Sequence, residues 1–488
     1  MDVLFTHSYF YKMDAKQWRN QTPFPPLSTI YAASYLRNNN YSVSLFDVGL
    51  KENPQQLSSI LKKEKPQFFV IYDDGFNYLT KMCLTTMRNA CFEMIKMGKS
   101  QGCKVIISSS DSTDHAEDYL NQGADFIIYG EGEETLLKLV ESLSKKYTDT
   151  SLLNIDGVIF RNAETNAIEK TKQRTVLKNL DELPLPAWDL IDIESYQKIW
   201  KNSNQEFTLN LATTRGCPYH CNWCAKPIYG QRYNSHSPKR IVEMISHLSK
   251  EYQVNRFWMC DDIFGLKPNW VQEFNKELKK YSLNISYYIQ SRADLLLKEN
   301  TVEALAESGC SEIWIGAESG SQKILDAMDK GITVEQIEKS TKLLQAKNIG
   351  IAFFIQYGYL NETKKDIEKT IDMIQKLKPD NIGVSVSYPL PDTPFYEKVK
   401  HQFTSKSNWT DSDDFALLFK GTFNENYYRK LQRYTHKVFR KSQGLNYLTK
   451  GKILNNLRSI LLLAYYIPSV EIDKIRLNMI QNLKFNNN

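Results

Sequence analysis

Three cysteines, Cys217, Cys221 and Cys224, stand in C-x3-C-x2-C spacing just after a short apolar run at 207–211. No other stretch limits the folds open to this chain so strongly. Thiolates on so short a tether converge on one soft-metal site. Four cysteines would close a cubane [4Fe–4S] cluster, whereas three leave one iron without a protein ligand, and an open iron is where a reactant binds. The spacing also suits structural zinc, with His220 or a distant cysteine as fourth ligand. It suits unligated thiols as well, since free cysteine is among the most buried residue types. The neighbours weigh against both alternatives: Gly216 permits a tight approach at a strand end, Trp223 shields the loop from water, and further strand and helix units follow.

At 488 residues the chain exceeds one ordinary core, so two or three domains are expected. A content of 42 % hydrophobic and 24 % charged residues describes a folded soluble protein. The formal charge of +6 is small for this length and the two signs are mixed, which argues weakly for anionic substrates and hardly at all for nucleic acid, so no nucleic-acid partner is expected. An RNA-binding zinc knuckle would draw on Tyr219, Trp223, Lys226 and Tyr229, yet the long run of units behind the cysteines exceeds what a knuckle needs. Eight cysteines are too sparse for a disulfide scaffold and no cationic, apolar leader opens the sequence, so a reducing, cytoplasmic location is expected.

Apolar runs at 3–5, 43–46, 68–71, 105–108 and 126–128 alternate with helical patterns at 27–37, 54–62 and 86–101. This α/β order predicts a doubly wound parallel sheet over residues 1–145. Ligands of such sheets bind beyond the carboxyl ends of the strands, here residues 6–11, 73–76, 108–113 and 130–133. His7 and His115 are expected as packing or surface residues. Residues 146–205 read as a linker with a small strand pair at 157–161 and 175–177 around a turn at 162–165. Leu183-Pro-Leu-Pro-Ala-Trp-Asp189 follows, an ordered bridge whose prolines fix φ and remove donors.

From 206 to 396, strands are expected at 208–212, 256–260, 284–289, 312–316, 351–356 and 381–386. Helices are expected at 238–248, 270–281, 301–307, 333–346 and 364–376. Six β/α units make a partial (β/α)6 barrel, with its chemistry at the C-terminal ends of the strands. Cys217 to Cys224 falls at such an end. So do Cys260-Asp-Asp262, Arg292, Gly316-Ala-Glu318-Ser319-Gly-Ser321, Gly358 and Glu362. Glu318 is suited to accept hydrogen bonds, Arg292 to donate to a carboxylate, and Gly316 and Gly358 to admit close backbone approach. The mostly helical remainder, 397–488, holds an apolar run at 460–467 too short to span a bilayer. Beside Arg458, Lys474 and Arg476 it suits either burial against the barrel or peripheral contact with a membrane surface. The polar tail at 484–488 has no evident reason to be ordered.

The cysteine triad, with Trp223 before its last member, resembles the signature of the radical S-adenosylmethionine (SAM) enzymes. In that family the unique iron chelates the amino and carboxylate groups of SAM, and the reduced cluster cleaves it to a 5'-deoxyadenosyl radical. The resemblance is nearest to members carrying an N-terminal cobalamin-binding domain, including a branch similar to the anaerobic magnesium-protoporphyrin monomethyl ester cyclase. It implies that Cys217, Cys221 and Cys224 hold a [4Fe–4S] cluster and that Asp262, Glu318, Ser319 and Gly358 lie beside SAM, where the strand-end reading also puts Arg292 and Gly316. The stretch Gly123-Ala-Asp-Phe-Ile-Ile-Tyr-Gly-Glu-Gly-Glu-Glu134 resembles the end of the cobalamin-binding domain. Thr6, Ser108, Ser109, Ser110 and Gly130 are then the expected corrinoid contacts.

No Asp-x-His-x-x-Gly motif follows the first strand, so the resemblance implies no lower axial histidine. Ser108-Ser-Ser-Asp111 stands where a Gly-Gly pair is usual, and Asn361 and Asp392 stand where glycine is usual, which predicts an altered local backbone. The implied reaction is modification of an unactivated carbon of a small molecule, foremost methylation, with electrons from a flavodoxin- or ferredoxin-like donor. Radical cyclisation or oxygenation, as in tetrapyrrole ring formation, and a radical SAM reaction without cobalamin are the alternatives.

Overall fold

The computed structural model describes the chain except residues 83, 146–147, 225–227, 404–405, 407, 450–456 and 486–488, so Cys83 and Lys226 lie outside the described residues. The first sheet has seven strands in the order β2-β1-β3-β4-β5-β6-β7. They are β1 Val3–Thr6, β2 Val43–Leu45, β3 Phe68–Tyr72, β4 Lys104–Ser108, β5 Phe126–Ile128, β6 Val158–Arg161 and β7 Ile168–Lys170. The first five run parallel. Helices flank them on both faces, so β1 and β3 are buried at every residue and their sequence reads as continuous apolar runs.

The stretch expected to be a linker contributes to this sheet. β6 pairs antiparallel with β5, and β7 with β6. Val158, Ile159 and Phe160 are all buried, which gives the strand a core to join. The expected turn is present: Asn162 Oδ1 accepts from the amides of Glu164 and Thr165. The partner strand resumes at 168–170 and not at the expected 175–177, because Asn166 closes the turn in the left-handed region (φ 58°).

The second sheet has six strands in the order β15-β14-β13-β12-β11-β8, all parallel and in chain order. They are β8 Leu209–Leu211, β11 Arg256–Met259, β12 Ser286–Ser291, β13 Cys310–Glu318, β14 Gly350–Tyr357 and β15 Asn381–Val386. A separate antiparallel pair, β9 Thr214–Arg215 and β10 Asn234–Ser235, brackets the cysteine loop. Residues in β12 alternate buried and half-buried, the pattern of a strand with two unlike faces. Helix starts between the strands are capped: Ser237 Oγ accepts from the Arg240 amide with Pro238 at the first turn, and Thr333 and Gln336 form a capping box. One continuous apolar core, from Leu4 and Ile71 to Leu211, Ile313 and Leu431, spans both sheets.

The C-terminal helices are Glu425–Thr449, Leu457–Leu461 and Leu463–Phe485. The apolar run at 460–467 is not buried against the second sheet. Leu461 is 67 % and Tyr465 55 % exposed, and the helix carrying Tyr465 packs on Glu425–Thr449. Among the described residues no helix is long and apolar enough to cross a membrane. The last helix also runs on into the tail expected to be disordered, as far as Phe485.

Candidate active site

The cysteine loop is anchored at both ends. At its start Asp261, at the end of β11, accepts from the amides of Thr213 (2.6 Å) and Thr214 (2.8 Å) and from the Thr213 hydroxyl (2.6 Å). Burial pushes this carboxyl up to about 7. Gly216 follows with φ +82°, and a Cβ there would lie 2.2 Å from the Arg232 carbonyl oxygen, so only glycine lets the outgoing and returning strands pass. Within the loop, buried Asn222 donates from Nδ2 to the Ala327 carbonyl (2.9 Å) and to Asp329 (2.6 Å), and its Oδ1 accepts from the Tyr359 hydroxyl (2.6 Å). Its backbone accepts from the Phe395 amide. One side chain thus ties the loop to segments following β13 and β14.

Cys217, Cys221 and Cys224 are all free; the first two are half-buried and the third exposed. Burial raises the half-buried Cys217 thiol to about 11, so metal binding would release its proton. Among the described residues no three His, Cys, Asp or Glu side chains stand gathered in metal-holding positions, the loop cysteines included. The donor set, three unpaired thiols on one tether with His220 exposed, fits a three-thiolate cluster.

The residues expected around SAM divide into two groups. Glu318 sits at a β-bulge between β13 and β14 with φ 54°, an unusual conformation for a non-glycine residue that re-aims its carboxylate. That carboxylate accepts from Lys330 Nζ at 2.8 Å. Lys330 lies across Gly316, where a Cβ would meet Nζ at 2.6 Å, and sits 5.7 Å from the Trp223 ring centre. Asp262 pairs with Lys81 of the first sheet's loops at 2.8 Å. These residues gather beside the cysteine loop.

Arg292 is close by but largely committed: it donates to the carbonyls of Lys330 (2.8 Å) and Gly331 (3.2 Å) and to Asp294 (3.0 Å), with its guanidinium 3.7 Å over the Tyr219 ring. Ser319 is turned inward, fully buried and bonded to Thr370 Oγ1 (3.1 Å) and the Ser321 amide (3.1 Å). Gly358 (φ +78°) packs against Leu417 and Tyr428 of the C-terminal region, and its amide donates to Glu362 Oε2 at 2.7 Å. Burial raises Glu362 to about 8, and its Oε1 is buried without a partner. Asn361 and Asp392, which stand where glycine was expected, both take φ 58°. Asn and Asp tolerate this left-handed region, so neither substitution demands a different backbone path.

The strand ends of the first sheet form a narrow cleft of about 40 Å³ lined by Asp73, Gly75, Ser108, Ser109, Ser110, Thr113 and Gly130. Ser109 caps the helix that begins at Ser110, its Oγ accepting from the Ser112 amide at 2.9 Å. A Cβ added at Gly130 (φ +78°) would meet nothing nearer than 3.6 Å, so the space beside it is open. Asp73 accepts from the Ser8 amide (2.7 Å) and hydroxyl (2.8 Å), and burial raises it to about 6. Thr6 is not brought to the cleft; it is fully buried and donates to the Phe46 carbonyl at 2.7 Å. His7 is buried against Asp47 at 2.8 Å, His115 is half-buried near Asp111 and Asp118, and among the described residues no histidine lines the cleft.

A buried clasp joins the two sheets. Arg215, on β9, donates to Glu131 (2.6 Å) and Glu133 (2.7 Å), and all three are at most 4 % exposed. Its guanidinium also lies 4.8 Å from the Tyr229 ring centre and 5.3 Å from that of Tyr31. Sequence reasoning missed Arg215, Asn222, Lys81 and Lys330, and it flagged Asp261 only as part of Cys260-Asp-Asp262 at a strand end. The glutamates were flagged as part of a strand-end stretch, but nothing local distinguished their partners from surface charges.

Residues 211–374 match the model of the Radical SAM superfamily. The chain is 28 % identical over 400 residues to an uncharacterized methyltransferase of Pyrococcus horikoshii, covering 80 % of this chain and 81 % of that one. It is 25 % identical over 406 residues to the anaerobic magnesium-protoporphyrin IX monomethyl ester cyclase of Rubrivivax gelatinosus, covering 82 % and 70 %. The solved structure of the cobalamin-dependent S-adenosylmethionine radical enzyme OxsB, with aqua-cobalamin and S-adenosylmethionine bound, superposes with a TM-score of 0.72 at 19 % identity, covering 97 % of this chain and 71 % of that one. At that identity the likeness speaks for the fold. With the cysteine loop at the strand ends of a six-unit parallel sheet and the family match lying over it, residues 211–374 carry a domain of the Radical SAM superfamily, and the chain is similar to methyltransferase and cyclase members of that superfamily.

Proposed function

We propose that the chain is a cobalamin-dependent radical SAM enzyme that methylates an unactivated carbon of a small molecule. The observation that carries the reading is the wall of the first sheet's cleft. Its far side is built by Ile228 and Tyr229, which lie just past Cys224 in sequence. The corrinoid crevice and the cysteine loop are then two sides of one interface, held in register by Arg215. In this reading residues 1–145 with the added edge strands form the cobalamin-binding-like domain, 146–205 bridges, 206–396 is the partial barrel and 397–488 its helical cover.

Cys217, Cys221 and Cys224 hold the cluster. When bound, the cluster supplies the electron that cleaves SAM, and the corrinoid serves as methyl carrier. Glu318 accepts from the SAM amino group or ribose once Lys330 swings aside, and Lys330 is then a donor for the SAM carboxylate. Arg292 fixes Tyr219 and the turn at 330–331, while Asp262 and Lys81 close the side toward the first sheet. Ser108, Ser110 and Thr113 offer hydroxyls to the corrinoid tail. At about 40 Å³ the cleft is little larger than one water needs, so tail entry requires Ile228 and Tyr229 to shift. A lining of hydroxyls, glycines and Asp73 supports a cobalt without a protein imidazole.

A flavodoxin- or ferredoxin-like protein is the reductant this reading calls for, and a reducing cytoplasm suits a chain whose described cysteines are all free. Tyr465, Ile472, Ile475 and Met479 recur on one face of the last helix, with Leu457 and Leu461 on the short helix before it, each at least 48 % exposed, beside Arg458, Lys474 and Arg476. That face favours contact with a membrane surface. Cosedimentation with anionic phospholipid vesicles supports this contact, and recovery of all protein in the supernatant counts against it. Anaerobic reconstitution with hydroxocobalamin tests the main reading: corrinoid should stay with the protein through gel filtration, and Ser109→Trp should lose corrinoid while keeping iron. Wild-type protein that retains no corrinoid contradicts the cobalamin assignment.

A further inference from the structure

A second cavity, of about 140 Å³, opens where four parts of the chain meet. Lys16 and Tyr78 come from short helices, Ala15–Asn20 and Tyr78–Lys81, that follow β1 and β3, Trp223 from the cysteine loop, Gln356 from the end of β14, and Tyr388 and Trp409 from beyond β15. None of the residues expected around SAM lines it, and it shares no lining residue with the corrinoid cleft. It borders the cysteine loop without belonging to either cofactor's set of contacts.

Among the described residues the wall carries one cation and no carboxylate. Lys16 Nζ donates to the Ser412 carbonyl at 2.8 Å and lies 5.6 Å from the Phe415 ring centre. Asp413, Asp14 and Asp411 are near enough to favour its charge, yet none of them lines the cavity wall. Asp14, near it in sequence, is spent on the Tyr9 hydroxyl (2.9 Å) and the Ser412 hydroxyl (2.7 Å). Burial lowers the Lys16 ammonium, a cost that an arriving anion would offset. Opposite this charge the wall is aromatic. Tyr388 and Trp409 sit with ring centres 4.5 Å apart. Tyr78 lines the cavity and keeps 48 % of its surface exposed, so a ring face is open to a ligand. Gln356 commits Nε2 to Ser387 (2.9 Å), which leaves its carbonyl oxygen to accept from a ligand.

Size limits the occupant further. A cavity of about 150 Å³ holds one benzene-sized ring, so without movement of its walls this one matches a single ring and not a macrocycle or fused polycycle. We propose that this cavity is the substrate site and that it takes a compact, single-ring organic anion, with the negative group on Lys16 and the ring between Tyr78, Trp223, Tyr388 and Trp409. The proposal rests on the radical SAM reading for its chemistry and on the cavity alone for its ligand class.

The test is equilibrium binding by calorimetry to the full-length, reconstituted protein, with benzoate, phenylphosphonate and the neutral isostere benzamide as probes. Wild type should bind at least one of the two anions about tenfold or more tighter than benzamide. The tighter anion identifies the carboxylate or phosphorus oxyanion as the natural group. Lys16→Gln should bring the anion-to-amide ratio to about one, and Lys16→Arg should restore it. Equal binding of anions and benzamide by wild type overturns the proposal without any variant, and so does a ratio that survives in K16Q. The two readings fail separately. A protein that takes up no iron yet shows the Lys16-dependent preference sinks the radical chemistry alone, and one that cleaves SAM without any anion preference sinks the ligand class alone.

Discussion

Arg215→Met is the most informative single change outside the cysteines, because it replaces the cation of the interface clasp with a side chain of similar length. Glu131 and Glu133 would be left at 4 % and 1 % exposure with no counter-charge between them. Among the described residues Glu133 Oε2 already has no partner, and Glu131 would keep the Leu177 amide at 2.5 Å. Breaking a buried ion pair from one side costs about 3–5 kcal/mol. The lost stacking of the guanidinium on Tyr229 and Tyr31 adds roughly 1 kcal/mol. Urea unfolding of the cofactor-free proteins should show this loss, free of ligand linkage. The triple variant R215M/E131Q/E133Q removes the stranded charges and should recover most of it. If R215M unfolds within about 1 kcal/mol of wild type, or the triple variant is no more stable than R215M, the clasp does not hold the sheets together as argued.

Other residues give independent tests. Gly216→Ala places a Cβ 2.2 Å from the Arg232 carbonyl in a left-handed residue, so the cysteine loop must distort and reconstituted iron content should fall severalfold; full iron loading would show the crossing to be tolerant. Glu318→Ala should weaken SAM binding about tenfold with the cluster spectrum intact, consistent with loss of a charged hydrogen bond of about 1.5 kcal/mol or more; an unchanged SAM dissociation constant counts against that role. Glu362 supplies a pH test. Its carboxyl is raised to about 8, so the folded state holds a proton that the unfolded chain releases near 4. Stability is therefore fullest below the unfolded value and declines as pH rises toward 8, by at most about 4–5 kcal/mol. Glu362→Gln keeps an acceptor for the Gly358 amide and should flatten that slope in melting experiments; an unaltered slope would mean the group does not titrate there.

The regular parts of the fold were legible because they are apolar and periodic. The expectation at 126–128 coincides with β5 and that at 381–386 with β15, and most other strands differ by a residue or two at their ends. The exception is instructive. β7, Ile-Glu-Lys, is a half-polar edge strand whose place depends on pairing with β6 and not on any local pattern. The cysteine spacing announced the loop, and Gly216 was read correctly as a residue of close approach. The supports of the loop were not legible. Arg215, Asn222 and Lys330 acquire their roles from partners 82 and 84, 107 and 137, and 12 residues away, and a charged or amide side chain in sequence looks the same whether it is solvated or clasped. Ser319 shows the converse: the motif drew attention to it, yet its hydroxyl is used by Thr370 inside the core.

The central claim, that the cysteine loop carries a redox cluster acting on SAM, meets its most direct test in anaerobic reconstitution followed by metal analysis and product detection. Wild type should take up about four irons and four sulfides per chain and convert SAM to 5'-deoxyadenosine under reduction. C217A, C221A and C224A should each lose both the cluster and the cleavage. Stoichiometric zinc with no iron, or undiminished SAM cleavage by C224A, would contradict the account.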